Sequence, residues 1–225
     1  VSVPQPYCYR CMFGQKYPEC ELRCVKYIDE VIELEGGDEK VAGIIFEPVT
    51  GANGIIVPPP EYFPQLREVC NKWGTLMVAD EVMTGFGRTG KWFAMDHWNV
   101  VPDIMTMAKG ATCGYLPLGM TIVRKPIADR FKDQFFSHGA TYAGHALCCA
   151  AAVRVIQIYQ EDNLIENSAK MGKYLLEKAM ELNEKHPCIG DVRGLGLFVG
   201  LELVKNRKTR EPIMPVAAKL SLIHI

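Results

Sequence analysis

The sequence lacks any excess of charge: 25 Lys and Arg face 26 Asp and Glu over 225 residues, a formal net charge of −1. No block of five or six like charges occurs, so the chain offers no electrostatic footprint for DNA, RNA or anionic lipid. Long hydrophobic runs are missing too. The longest apolar stretch, around Ala146 to Ile156, is broken by Arg154 and falls short of the roughly 20 residues that span a bilayer. Internal repeats and low-complexity tracts are absent. What is there, 48% hydrophobic and 23% charged residues, is the composition of a globular protein with a sizeable core, and a small molecule is its expected partner.

The nine cysteines are an odd number spread along the chain, without the density of a secreted disulfide scaffold, which points to a reducing cytoplasm. Four of them form Cys8-x2-Cys11-x8-Cys20-x3-Cys24. Thiolates at such spacings can converge on tetrahedral zinc, as in a zinc-binding interaction module; the alternative is a loop in which they pack as small hydrophobes. The chain opens at Val1 rather than Met and enters a turn-like Pro4-Gln5-Pro6-Tyr7 with no signal or transit pattern, as expected if its start is missing.

Val41 to Phe46, Thr75 to Ala79 and Ile104 to Ala108 are short apolar runs that each stop at a polar residue and read as buried strands. Between the first two, Leu66, Val69, Cys70 and Trp73 follow the spacing of one helical face, and Gly74 closes that helix. A helix from about Leu22 to Glu35 precedes them; a fourth strand, Met120 to Val123, and a short helix, Pro126 to Phe131, follow. Such alternation implies a parallel sheet covered by helices, with chemistry at the carboxyl ends of its strands. Helices over Ala146–Tyr159 and Ile165–His186 then lead, past a boundary near Glu161, to a Gly-rich stretch, Ile189 to Val204, expected to be a loop entering one antiparallel strand.

Three ionisable groups fall at strand ends: Glu47, Asp80 and Lys109. Asp80 could simply cap the following turn, and Lys109 could be a solvent-facing loop lysine. Together they read differently. A lysine among small residues (Ala108, Gly110, Ala111) suits covalent attachment to a carbonyl, and a carboxylate from the neighbouring strand suits a cationic ring nitrogen.

Four blocks, Val78-Ala-Asp-Glu-Val-Met-Thr-Gly-Phe-Gly-Arg-Thr-Gly-Lys91, Pro102-Asp-Ile-Met-Thr-Met-Ala-Lys-Gly110, Gly114-Tyr-Leu-Pro-Leu-Gly119 and Ser137-His-Gly-Ala-Thr-Tyr-Ala-Gly-His145, closely resemble the class III aminotransferases, pyridoxal-phosphate enzymes of fold type I. The resemblance implies an α/β fold: part of a large domain over residues 1–160, with a mostly parallel sheet flanked by helices, and the start of a small α+β C-terminal domain over 161–219. It implies that Lys109 holds pyridoxal 5'-phosphate and moves a proton, that Asp80 pairs with the pyridine nitrogen and that Val82 packs on one ring face. It also implies a homodimer, in which Thr141 reaches the cofactor phosphate of the neighbouring subunit, and a weaker role for Glu47 near the cofactor. Arg193 recurs in the family; its adjacent glycines favour a structural ion pair over substrate contact.

Two departures narrow the substrate. Ala52 stands where the ornithine and GABA branches carry a glutamate, and Met83 where they favour glutamine. Both resemble the ω-amino acid/amine:pyruvate branch, with taurine, β-alanine or a similar amino donor and a 2-oxo acid acceptor. An aminomutase or decarboxylase on the same frame is the alternative within pyridoxal enzymes. The resemblance further implies that a phosphate loop precedes Val1 and that a substrate arginine follows Ile225. The final Leu220-Ser-Leu-Ile-His-Ile225 departs from the family and matches one reading frame of a sequencing adaptor, so it reads as a non-native tail.

Overall fold

A computed structural model describes residues 1–213. The expected tail at 220–225, and the end of the expected second unit, lie outside the described residues. Four strands, β1 (Gly43–Phe46), β2 (Leu76–Asp80), β3 (Ile104–Met107) and β4 (Met120–Val123), form a sheet in chain order. The first three are parallel and β4 is antiparallel to β3, so the sheet is mixed but mostly parallel.

The pleat sorts the side chains. Met77 and Ala79 of β2 are fully buried, and the register places Ile44 and Phe46 of β1 on the same face. That face is covered by α1 (Arg23–Leu34) and α2 (Tyr62–Trp73), whose Val25, Ile28 and Ile32 and whose Phe63, Leu66 and Cys70 complete one core. Phe63 sits at its centre, its ring 4.8 Å from Phe46 and 4.9 Å from Trp98. Val78 and Asp80 face the other way, beside Ile45, which is 70% exposed.

Beyond β4 come the short α3 (Lys125–Asp129), an exposed segment without regular structure, and the helices α4 (Ala146–Glu161) and α5 (Leu164–Lys185). The stretch after α5 corrects the sequence reading. Instead of a loop entering one strand, it is a hairpin of β5 (Ile189–Leu195) and β6 (Phe198–Asn206), with the short β7 (Glu211–Pro212) at its edge. Its glycines mark close approach rather than a break: a Cβ at Gly194 would lie 2.8 Å from Val199 Cα, and one at Gly190 would lie 2.8 Å from a Val204 methyl.

Candidate active site at the strand ends

Glu47 follows β1, Asp80 ends β2, and Lys109 opens the helical turn Lys109–Ala111 after β3. Because the three strands are parallel, with Phe46 opposite Ala79 and Asp80 opposite Thr106, the three groups emerge at one rim of the sheet. Glu47 Oε2 accepts the Gly51 N–H at 2.8 Å, and Asp80 Oδ1 accepts the Val82 N–H at 3.0 Å. Asp80 therefore does cap its turn, but through one oxygen only. Both carboxylates line a cavity of about 1080 Å³ that runs along the open edge of β1. Met83 belongs to the same corner, since a Cβ at Gly51 would lie 2.5 Å from its sulfur and 3.2 Å from Glu47 Oε2. Lys109 is exposed, and among the described residues its amine has no hydrogen bond or ion pair.

Val82 is half-buried directly after Asp80. Thr141 lies in the exposed segment after α3 and has no hydrogen bond to the other site residues. The structure thus gathers Glu47, Asp80, Val82 and the Lys109 turn at one rim, with no hydrogen bond from that group to Thr141.

Sequence reasoning missed Glu81. It is fully buried and accepts hydrogen bonds from the Thr84 hydroxyl, the Ala94 N–H (3.0 Å) and the Met95 N–H (2.9 Å). Burial pushes its carboxyl above the ordinary range, against the pull of those hydrogen bonds. The signal was present: Met77, Ala79 and Glu81 alternate onto one face, so the period of the strand carries Glu81 into the core.

Arg193 is a structural anchor. It pairs with Asp191 (2.8 Å) and Glu202 (3.0 Å), donates to the Gly54 carbonyl, and lies 4.8 Å from the Tyr7 ring centre. Cys8, Cys11, Cys20 and Cys24 are unbridged and line one small cavity of about 20 Å³, and burial pushes the Cys24 thiol up to about 11. Among the described residues no three His, Cys, Asp or Glu side chains are placed to hold a metal ion.

The side chains at the rim fit the ring of pyridoxal phosphate. Among the described residues the Lys109 amine is unpaired and free to meet an aldehyde, and the half-buried Asp80 carboxylate keeps one oxygen without a hydrogen bond for a protonated ring nitrogen. For the phosphate end, the expectation is that the exposed Thr141 hydroxyl serves the cofactor of a neighbouring subunit rather than that of its own rim.

A family model described as aminotransferase class-III matches residues 2–224. A taurine–pyruvate aminotransferase of Bilophila wadsworthia is 44% identical over 216 residues, covering 93% of this chain and 47% of that protein. A leucine/methionine racemase of Thermococcus litoralis is 38% identical, over 97% of this chain and 48% of its own length. Among solved structures, the taurine:2-oxoglutarate aminotransferase of Bifidobacterium kashiwanohense, in complex with pyridoxal phosphate and glutamate, superposes with a TM-score of 0.86 at 42% identity, covering 92% of this chain and 47% of that one. The chain spans about half the length of these relatives.

Proposed function

This chain belongs to the class III aminotransferases, a pyridoxal-phosphate-dependent family, and from that premise we propose that it carries the cofactor-binding rim of a cytoplasmic transaminase. In this reading the enzyme moves an amino group from an ω-amino acid or amine, such as taurine or β-alanine, to pyruvate or another 2-oxo acid. The observation that carries the reading is the convergence of Asp80 and the unpaired Lys109 at the ends of adjacent parallel strands.

Bound pyridoxal phosphate supplies the electron-withdrawing ring that lets an amine lose a proton from its carbon. Lys109 Nζ would hold the cofactor's aldehyde carbon and would also serve as the base that moves that proton. Asp80 would keep the ring nitrogen protonated, and its Oδ1, bound to the Val82 N–H, fixes the carboxylate plane. Val82 covers one ring face. Glu47, held by the Gly51 N–H, orients the loop that carries Ala52, where no glutamate stands to restrain a substrate arginine.

A homodimer completes the proposal, with Thr141 donating to the phosphate bound by the partner subunit. Supporting it, Phe135, Phe136 and Tyr142 around Thr141 are 92%, 58% and 79% exposed, an apolar surface that an isolated chain would leave in water. Residues 1–160 then belong to the large domain and those after 161 to the start of the smaller one.

The test uses the protein encoded by the complete reading frame. Pyridoxal phosphate is expected to give a lysine-linked absorbance band that Lys109→Ala abolishes, with transfer from taurine or β-alanine to pyruvate falling by at least about a thousandfold. An unchanged band in Lys109→Ala sinks the assignment. The similarity to a racemase supports a second reading on the same frame, and stereoinversion of leucine without net amino transfer would select it.

A further inference from the structure

The turn that carries Lys109 is held from outside the sheet by a residue that neither the motifs nor the proposed chemistry uses. Tyr159, near the end of α4, donates its phenolic O–H to the Gly110 carbonyl at 2.8 Å, and the Cys113 sulfur lies 3.0 Å from the Tyr159 phenolic oxygen and 4.0 Å from the Gly110 carbonyl. With the phenol proton committed to Gly110, the Cys113 thiol is the donor of the second contact. Cys113 occupies the left-handed backbone region, with φ +49°, where a non-glycine residue costs about 1 kcal/mol or more. Its bond to Tyr159 helps to offset that cost, so one phenol clamps both ends of the turn from Lys109 to Cys113.

The opposite side of the turn has no slack. A Cβ at Gly110 would lie 2.7 Å from Phe86 Cβ and 3.1 Å from an Arg88 nitrogen, and the same Arg88 nitrogen donates to the Val82 carbonyl at 3.2 Å and the Gly85 carbonyl at 3.3 Å. The Tyr159 ring is itself fixed, stacked 6.5 Å from Phe86 and edge-on to Trp92 at 6.1 Å. The Lys109 turn is therefore pinned between Tyr159 and the loop that leaves Asp80.

We propose that Tyr159, acting with Cys113, is a positioning residue that sets the direction in which Lys109 projects toward the Asp80 rim. The role of that direction in catalysis rests on the transaminase reading above; the clamp does not. Tyr159→Phe keeps the ring and deletes the hydroxyl. In the cofactor-free protein from the complete reading frame, amide hydrogen exchange across residues 105–115 is expected to rise roughly fivefold, the loss of about one net hydrogen bond, with exchange across α1 unchanged. With pyridoxal phosphate bound, the pH midpoint of the absorbance band shifts and kcat falls several-fold while KM for pyruvate holds. Cys113→Ala reproduces both changes in smaller measure, and Cys113→Ser, which keeps a donor, reverses them.

Unchanged exchange at 105–115 together with an unmoved pH midpoint overturns the proposal. Should Tyr159→Phe fail to fold, the same two measurements on Cys113→Ala decide it. A wild-type protein without a lysine-linked band would overturn the transaminase reading instead, while the exchange comparison, which needs no cofactor, would still decide whether Tyr159 holds the turn.

Discussion

Glu81 and Asp80 are adjacent in the chain and opposite in surroundings because a strand turns successive side chains to opposite faces. Asp80 goes to the rim, half-exposed and bound through one oxygen; Glu81 goes into the core, where three donors surround it. Glutamine at position 81 could not accept from both backbone N–H groups, and Glu81→Gln is predicted to cost about 2–3 kcal/mol at pH 7, read from the urea midpoint of unfolding. The pH dependence adds a second check. The folded-state pKa of Glu81 is raised, so the wild type loses stability as pH rises from the ordinary carboxyl range through that raised value. The Gln variant should lack that slope; retention of it would mean that another group is titrating. Lys109 and Asp80 were legible in the sequence from their places after apolar runs. Tyr159 was not, because it is 49 residues from the carbonyl it binds and looks like any aromatic on a helix.

At the scale of elements, the strands and helices were readable to within a few residues wherever one face is apolar and a turn residue closes the segment, as in α2, which ends at Gly74 in the left-handed conformation. The β5–β6 hairpin was not. Its glycines read as loop because the neighbours that fill the space above them, Val199 and Val204, belong to the returning strand. A related contact ties α5 to this hairpin: Gly172 lies so close to Gly196 that a methyl group has no room. Alanine is favoured over glycine in a helix by about 1 kcal/mol, yet Gly172→Ala is predicted to lower stability by about 1–3 kcal/mol through overpacking. A Tm at or above that of the wild type would show that the hairpin can move away without cost.

At the scale of the molecule, distant segments meet at Glu202. This β6 carboxylate accepts from Tyr7, from Arg10 at 2.9 Å and from Arg193 at 3.0 Å, so the first ten residues, the Gly54 loop and the second sheet share one network. Burial pushes the Glu202 carboxyl up, but the hydrogen bonds from Tyr7, Arg193 and Arg10 prevail and hold it below the ordinary range. Its contribution is therefore complete above the unfolded carboxyl pKa and is lost as pH falls through the lowered folded value. Glu202→Gln is predicted to cost about 2 kcal/mol at neutral pH, with the gap to wild type closing in acid, as followed by denaturant unfolding across pH. A gap that does not change with pH would rule out the charge as its cause.

The family, the strand and helix segments of a mostly parallel sheet, and the strand-end places of Asp80 and Lys109 were legible in the chain itself, because periodicity and motif are local properties. Folding in three dimensions was needed to bring Arg193 onto the Gly54 carbonyl, 139 residues away, and Tyr159 onto the carbonyl of the Lys109 turn. Each of these depends on atoms far apart in sequence being brought within hydrogen-bonding distance, and no local pattern encodes that distance.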